Sequence, residues 1–213
     1  VQDISMYVRK GEIVGLAGLV GGGKTELCKT IFGVYKKSDG IIRLNGKELN
    51  IKTPSDAVKN RIALVPEERR KEGVLVAETV TFNTTAASLD DYCTFSFVND
   101  RKAAKKAEEY VKSLSIKTPS IKQKVAYLSG GNQQKVAVAK WLAADCDVYI
   151  FDEPIAGVDP ASRDSILDTI LGNYANDALL IIATHLIADI EPVLDEVVFL
   201  KEGQIHLHRN CDD

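Results

Sequence analysis

The chain has 213 residues, of which 45% are hydrophobic and 27% charged, and its formal net charge is −3. This length and composition are typical of a soluble globular domain with a real hydrophobic core. The near balance of 30 acidic and 27 basic residues gives no electrostatic reason to expect nucleic acid as a partner. No apolar run reaches the length of a membrane span, and no signal-peptide pattern opens the sequence.

The four cysteines are scattered, without the paired spacing of a zinc site or a disulfide framework. We therefore expect reduced thiols, as in a cytosolic protein. The sequence starts at Val1 rather than at a methionine, in residues typical of a strand. We interpret the chain as a domain excised from a longer protein.

Short apolar runs and glycine or proline signals predict the elements of the first 65 residues. In order, they are a loosely alternating, strand-like run at Ile4–Val8, a strand at Glu12–Leu16, a helix at Thr25–Phe32, a hairpin at Gly40–Leu49 that turns at Asn45-Gly46, a short helix from Pro54, and a strand at Arg61–Val65.

Residues 67–126 differ in character from what precedes them. The stretch EERRKEG is charged and has no clear period. An Ala/Lys/Glu-rich helix is predicted at Arg101–Leu114, and we interpret its charges as a solvated helix face. The segment therefore favours a mostly helical insertion in an α/β core.

Helices alternate with apolar strands in the remainder of the chain. The predicted elements are a helix at Asn132–Ala143, a strand at Val148–Phe151, a helix at Ala161–Leu171, a strand at Ala178–Ala183, and a terminal hairpin of Glu196–Leu200 and Gln204–Leu207. This alternation predicts an α/β fold with a mostly parallel sheet covered on both faces.

The stretch GLVGGGKT, at residues 18–25, fits the phosphate-binding pattern G-x-x-x-x-G-K-[ST] between a predicted strand and a predicted helix. Its backbone N–H groups and the helix N-terminus would face phosphate oxygens. Lys24 would reach the β- and γ-phosphates, and Thr25 would supply a hydroxyl to Mg²⁺. The alternative is a tight glycine turn without a ligand. The residues assigned to the nucleotide here are Gly18, Gly21, Gly22, Gly23, Lys24, Thr25 and Glu26.

The stretch VYIFDE ends a buried strand with two carboxylates at the edge where open α/β sheets bind ligands. Asp152 would hold Mg²⁺, and Glu153 would act as the general base on the attacking water. Taken alone, an Asp-Glu pair after a strand usually just begins a polar loop. Because a phosphate-binding loop precedes it in this chain, we favour the functional interpretation.

Three histidines need an interpretation. His185 follows the strand LLIIAT, and a contact with the γ-phosphate is favoured over a purely structural role. His206 and His208 could share a strand face and bind a metal, but no third ligand is near in sequence. We interpret both as surface residues.

A second donor-rich helix start lies at Ser129, Gly130 and Gly131, within YLSGGNQQK. A kinase or a small GTPase has no use for it. We call this helix start and the phosphate-binding loop at residues 18–25 the two phosphate cradles. One nucleotide can contact both cradles when two copies pack head to tail, each offering Ser129 and its glycines to the partner's ATP. Hydrolysis would then release the contact, which makes a two-state switch.

With LSGGNQQK, the phosphate-binding loop, the FDE strand, Asp159 and His185 in this order, the whole chain resembles the ATP-binding cassette (ABC) ATPases. LSGGNQQK resembles the family's signature motif, with Asn132 where glutamine is commoner. Asp159 resembles the loop residue that crosses the dimer interface, and Thr184-His185 the switch-histidine loop.

The resemblance implies a single P-loop NTPase cassette over residues 1–213, with a small antiparallel β portion and a helical subdomain at about residues 67–141. It implies ATP and Mg²⁺ as cofactors, a second cassette and membrane-spanning permease subunits as partners, and a peripheral place on the cytoplasmic face of the inner membrane.

Residues 1–154 are similar to the second cassette of ATPases that energise bacterial monosaccharide import. Glu67 takes the place of the glutamine-loop residue, which implies a metal contact there. From Ile155 onward the chain looks more like single-cassette transporters, and we hypothesise a chimera joined near Pro154. The family's adenine-stacking aromatic residue would fall before Val1, so we expect weak ATP affinity.

Two further classes remain open on the sequence. One is a soluble ABC protein of DNA repair, chromosome structure or translation, which salt-sensitive nucleic-acid binding would reveal. The other is a cassette that binds ATP without turning it over, as a degenerate scaffold or a chimera without a working partner.

Overall fold

The computed structural model describes residues 1–158, 160–175 and 177–211, and of residues 160–162 only the backbone. The chain divides into two compact units. Unit 1 comprises Val1–Leu64, Cys146–Pro154 and Asn176–Asp213, and unit 2 comprises Val65–Asp145 and Ile155–Ala175.

Within the described residues, helices and strands alternate along the chain. The strands are β1 (Ile13–Ala17), β2 (Ile42–Leu44), β3 (Lys47–Leu49), β4 (Ile62–Val65), β5 (Cys93–Thr94), β6 (Phe97–Val98), β7 (Val148–Asp152), β8 (Leu179–Thr184), β9 (Glu196–Lys201) and β10 (Gln204–Asn210). The α-helices are α1 (Lys24–Ile31), α2 (Pro54–Lys59), α3 (Val80–Thr85), α4 (Asp100–Ser113), α5 (Gly130–Leu142), α6 (Pro160–Leu171) and α7 (Ile187–Ile190). Shorter helical turns lie at Arg69–Gly73, Ala86–Tyr92, Val125–Tyr127 and Glu191–Val193.

The main sheet belongs almost wholly to unit 1, and its strand order is β10-β9-β1-β8-β7-β4. Strand β1 pairs in parallel with β8 and β9, β7 pairs in parallel with β8, and β10 returns antiparallel to β9. Every residue of β7 is buried, as is every residue of β8 except Leu179. Continuous burial is typical of parallel strands covered on both faces, and it confirms the predicted mostly parallel core.

The register of the parallel strands brings their carboxyl ends to one edge of the sheet. Ala17, which ends β1, is paired with Thr184, which ends β8. Asp152, which ends β7, is paired with Ala183. The segments that follow these strands therefore begin side by side, in the crevice where open α/β sheets bind ligands.

Two hairpins have the turns that the sequence predicts. Asn45 and Gly46 join β2 to β3 with φ of 52° and 77°, and Glu202 and Gly203 join β9 to β10 with φ of 53° and 77°. Positive φ at both central residues suits the right-handed twist of the strands.

A third hairpin, β5–β6, interrupts the segment expected to be mostly helical. Its turn residues Phe95 and Ser96 have φ of 48° and 69°. Neither is a glycine or an asparagine, so the usual sequence signal for such a turn is missing. Unit 2 is therefore less uniformly helical than the composition indicates.

The strand-like interpretation of Ile4–Val8 is wrong. Every second residue there is half-buried, so the alternation is real. The segment nevertheless joins no ladder with the strands of the described residues. Alternation alone does not make a strand, because a strand also needs a neighbouring backbone to receive its hydrogen bonds.

Helix α4 has the solvated character predicted for this region. Only Ala103 and Ala107, one turn apart, are buried within it, while Lys106 pairs with Glu109 at the surface.

None of the helices among the described residues combines the length and the apolar character needed to cross a membrane. None of the four cysteines, all of which lie in the described residues, forms a disulfide.

Helix α5 contains a lysine whose ammonium is held by the backbone of unit 2. Lys140 Nζ donates to the carbonyl oxygen of Gly73 at 2.6 Å and lies 4.9 Å from the centre of the Trp141 ring. Burial disfavours the charged form and lowers the pKa of Lys140 from 10.5 to about 8.

This pKa predicts a pH dependence of stability. Between pH about 8 and 10.5 the unfolded chain binds more protons at Lys140 than the folded chain does. The Lys140 contribution to the free energy of unfolding should therefore rise with pH across that window. Lys140→Met should flatten the rise in urea denaturation curves, while the exposed control Lys112→Met should keep the slope of the wild type. Equal slopes in all three proteins would contradict the prediction.

Burial also predicts contrasting effects for two phenylalanines. Phe151 in β7 is 1% exposed, whereas Phe97 in β6 is 78% exposed. Phe151→Ala should lower the free energy of unfolding by about 3–5 kcal/mol, since it leaves a cavity in the core. Phe97→Ala should change it by less than about 0.5 kcal/mol, as is usual at an exposed site. Urea denaturation monitored by circular dichroism compares the two; similar losses would contradict the assignment of the core.

Candidate functional site

The loop between β1 and α1 can only be built with glycine at its critical positions. Gly18 has φ of 151°, and a Cβ there would lie 2.4 Å from the carbonyl oxygen of Leu200. Gly23 precedes α1 with φ of 102°, in the left-handed region. These contacts explain why the loop runs so tightly from the strand into the N-terminus of α1.

The ammonium of Lys24 is folded into this loop and is 4% exposed. Its Nζ donates to the carbonyl oxygens of Gly18 at 2.8 Å and Leu19 at 3.1 Å. The same atom lies 3.6 Å from Oε1 of Glu153. Lys24 thus places a buried positive charge inside the curve of the loop, where it would attract phosphate oxygens.

Thr25 and Asp152 form a joint oxygen site at the start of α1 and the end of β7. Thr25 Oγ1 donates to Asp152 Oδ1 at 3.0 Å, and Asp152 is 0% exposed. Hydroxyl and carboxylate oxygens suit Mg²⁺, which usually takes one or two protein ligands and completes its shell with phosphate and water. The described residues hold no group of three or more His, Cys, Asp or Glu that could bind a metal. The pair therefore fits a Mg²⁺ ion held together with a nucleotide.

Glu153 lies at the centre of the hydrogen bonds in this site. It is 6% exposed, and its backbone has φ of 49°, which is unusual for a residue other than glycine. Oε2 accepts hydrogen bonds from Thr184 Oγ1 at 3.0 Å and from His185 N at 3.3 Å. Such a conformation persists only where the surroundings hold it, which is common at functional sites.

His185 brings an imidazole ring to the same carboxylate. Its Nδ1 lies 2.9 Å from Glu153 Oε2, and the side chain is 40% exposed. The structure therefore brings two of the predicted catalytic residues, Lys24 and His185, to the carboxylate of the third, Glu153, within unit 1. Their chemical roles stay predictions.

The second helix start, in unit 2, differs from the sequence-based expectation. Helix α5 begins at Gly130, so both glycines lie inside the helix rather than before it. Ser129 is the N-cap residue and is exposed, and its hydroxyl accepts no hydrogen bond from a backbone N–H of the first turn. The N–H groups of the first turn have no intrahelical acceptor, so those of both glycines stay available as donors.

A basic side chain lies against this helix start. A Cβ added to Gly130 would be 2.7 Å from Nη2 of Arg69, and Nε of Arg69 is buried without a hydrogen-bond partner in the described residues. Glu67, the predicted metal residue, is exposed just after β4 in the same unit. Its metal contact stays a prediction.

The other predicted residues lie elsewhere. Glu26 is exposed in the first turn of α1, and Asp159 lies outside the described residues.

The β10 register shifts between Ile205 and Leu207, so His206 and His208 do not follow simple alternation. His208 Nε2 lies 2.7 Å from Glu196 Oε2, which gives it a structural partner.

Two contacts near the candidate site were not predicted from the sequence. The turn after β9 supports the phosphate-binding loop, since Gly203 N donates to Gly22 O at 3.1 Å. Asn132 Nδ2 donates to Ser129 Oγ at 2.8 Å. The second contact had a signal, because the spacing S-x-x-N is close to the S-x-x-E/Q of a capping box. The first had none, since it joins distant parts of the chain.

A family model described as "ABC transporter" matches residues 1–156. The chain belongs to the ABC transporter family. It is 41% identical over 207 residues to the xylose import ATP-binding protein XylG of Thermoanaerobacter pseudethanolicus, covering 97% of this chain and 41% of that protein. It is 40% identical over 214 residues to the ribose import ATP-binding protein RbsA of Clostridium perfringens (strain SM101), covering 100% of this chain and 43% of that protein. The chain thus spans about two-fifths of the length of these curated relatives.

Solved structures of this ABC family agree with the fold. A dimeric ATP-binding cassette, MJ0796, in a post-hydrolysis state bound to ADP and Pi, has a TM-score of 0.82 at 20% identity. The match covers 98% of this chain and 89% of that one. The predicted family and cassette fold are confirmed.

The hypothesis of a junction near Pro154 gains no support from these relatives. The xylose and ribose import proteins align over 97% and 100% of the chain. Similarity to one group of ABC proteins therefore extends through the part after Pro154.

The Thr25–Asp152 pair predicts a specific effect on metal dependence. Asp152→Asn keeps the size of the side chain and an oxygen acceptor for Thr25, but it removes the negative charge that attracts Mg²⁺. The Mg²⁺ concentration needed for half-maximal binding of a fluorescent ATP analogue should rise about tenfold or more, since a lost charged ligand is worth at least ~1.4 kcal/mol. The exposed Asp164→Asn should behave as the wild type. An unchanged Mg²⁺ dependence in Asp152→Asn would contradict the assignment.

Proposed function

We propose that this chain is an ATP-binding and ATP-hydrolysing cassette of an ABC transporter that energises sugar import. One observation supports this above all: a buried lysine, a hydroxyl–carboxylate pair and a histidine-bound glutamate meet at the carboxyl ends of three adjacent parallel strands. Those residues are Lys24, Thr25, Asp152, Glu153 and His185.

The residues have distinct parts in this proposal. The loop N–H groups and the Lys24 ammonium bind the phosphate oxygens and offset the charge that develops on them. Thr25 and Asp152 hold Mg²⁺, which polarises the phosphate oxygens. Glu153 orients a water and takes its proton, and His185 keeps the carboxylate in place and contacts the γ-phosphate. Glu26 lies close enough in sequence to contribute at the start of α1.

In this proposal, a second cassette completes the nucleotide-binding site. Ser129, Gly130 and Gly131 offer a hydroxyl and free N–H groups, and Arg69 adds positive charge beside them. We assign these groups, with Asp159, to ATP bound by a partner cassette packed head to tail. The dimeric cassette MJ0796 has the same fold, but at 20% identity that likeness concerns the fold alone. The pairing therefore depends on the unit 2 helix start.

Sugar import is supported by relatives named for xylose and ribose import, which are 40–41% identical to this chain. In this proposal the chain is one cassette of a longer protein, with the helical segment at about residues 67–141 as its subdomain and Glu67 as a further metal contact. It docks on membrane-spanning permease subunits at the cytoplasmic face of the membrane.

The decisive measurement is Mg-ATP hydrolysis over a range of protein concentrations. Two chains build each site, so turnover per chain should rise with concentration. Glu153→Gln keeps the shape of the side chain but removes the base, and it should lower kcat by about 10²–10⁴-fold while ATP still binds.

Three other results would count against the proposal in different ways. Flat background hydrolysis with ATP still bound would support a cassette without turnover. Loss of ATP binding in the wild type would contradict the nucleotide site itself. Binding of duplex DNA that weakens steeply with salt would favour a soluble, non-transport ABC protein.

A further inference from the structure

Ser129 has the position of a helix cap but does not cap its helix. A serine at this position normally accepts a hydrogen bond from an N–H two or three residues later. The hydroxyl of Ser129 makes no such bond. Instead its Oγ accepts a hydrogen bond from the side-chain amide of Asn132 at 2.8 Å.

The orientation of the Asn132 amide is set by a second contact. The backbone N–H of Lys117 lies 2.7 Å from Asn132 Oδ1. A backbone N–H can only donate, so the atom facing Lys117 must be the amide oxygen. The NH₂ group of Asn132 therefore faces Ser129, and it can only donate to the hydroxyl.

This chain of hydrogen bonds decides where the Ser129 proton points. Because Oγ accepts from Asn132, its own hydrogen is directed away from that amide and stays available as a donor. The first intrahelical bond joins Gln133 N to Ser129 O at 2.9 Å, so the N–H groups before Gln133 have no intrahelical acceptor. One hydroxyl and the first-turn N–H groups are thus left as donors at an exposed position.

We propose that Asn132 is a positioning residue that holds the Ser129 hydroxyl as a donor to the γ-phosphate of ATP bound by a partner cassette. The inference depends on the proposed function, since it concerns how the helix start of α5 engages a partner's nucleotide. Without the Asn132 amide, Ser129 Oγ can turn and cap its own helix. One first-turn N–H would then be used by the cap, and the hydroxyl would leave the position in which Asn132 holds it, while the helix would gain a cap.

This mechanism predicts an unusual combination of effects for Asn132→Ala. Association between cassettes should weaken, yet thermal stability should change little, because Ser129 is released to cap α5 and this gain offsets the lost hydrogen bond from Lys117 N–H. The test uses the Glu153→Gln protein, in which ATP is retained, and measures Mg-ATP-dependent self-association by sedimentation velocity. Asn132→Ala should raise the dimer dissociation constant about a hundredfold, as expected for one lost hydrogen bond to a charged group at each of the two sites of the dimer.

A double-mutant cycle separates positioning from a merely structural role. Ser129→Ala should weaken association by a similar factor, and adding Asn132→Ala to it should change the dissociation constant by less than about twofold. The matched control is Asn99→Ala, because Asn99 caps α4 through Lys102 N at 3.1 Å. It should lower thermal stability without altering association.

Each remaining outcome has a defined meaning. Equal weakening by Asn132→Ala with and without Ser129 would overturn the inference, and so would no weakening at all. If Asn132→Ala does not fold, Asn132→Asp retains the acceptor for Lys117 N–H but cannot donate to Ser129. The increase in the dissociation constant caused by Asn132→Asp should then be smaller in the Ser129→Ala background. An equal increase in both backgrounds would overturn the inference. If the Glu153→Gln protein itself does not associate with Mg-ATP, the proposed head-to-tail site fails, and this inference fails with it.

Discussion

The parallel pairing of β1, β8 and β7 is the constraint on which the rest of the site depends. Because the three strands run in one direction, their carboxyl ends lie together, with Ala17 beside Thr184 and Asp152 beside Ala183. A slip of one residue in either pairing would turn the terminal side chains to the other face of the sheet. The continuous burial of β7 and β8 opposes such a slip, since both faces are packed. The core therefore sets the geometry of the polar residues at its edge.

Glu153 shows how that geometry becomes chemistry. It is the first residue after β7, and its left-handed backbone turns the carboxylate toward the ends of the other two strands. There it meets Lys24 at the start of α1, Thr184 at the end of β8 and His185 directly after β8. A conformation of this kind costs about 1–3 kcal/mol and is maintained by these contacts. The strain is therefore supported by groups that the proposed reaction also needs.

The sequence predicts the parts of this molecule that depend on local patterns. The buried strands, the terminal hairpin and the Gly18–Thr25 loop follow from apolar runs and from glycine positions, and the structure agrees with them to within one or two residues at most ends. Local patterns fail where the outcome depends on a distant neighbour. Ile4–Val8 alternates but finds no partner strand, and the β5–β6 turn forms at Phe95-Ser96 without a glycine. The contact between Gly203 and Gly22 has no local signal, because residues far apart in sequence form it.

The two helix starts explain why one chain carries two candidate phosphate cradles. The start of α1 contains its own cation, since Lys24 is folded into the loop and bonded to the Gly18 and Leu19 carbonyls. Phosphate oxygens arriving there would exchange for those carbonyls, so this cradle can bind a nucleotide within one chain. The start of α5 has only a serine hydroxyl and backbone donors of its own, with Arg69 beside Gly130. In the proposed head-to-tail pairing, such a set would add to the binding of a nucleotide that another cassette already holds. Loss of the γ-phosphate would then remove the group that joins the two chains.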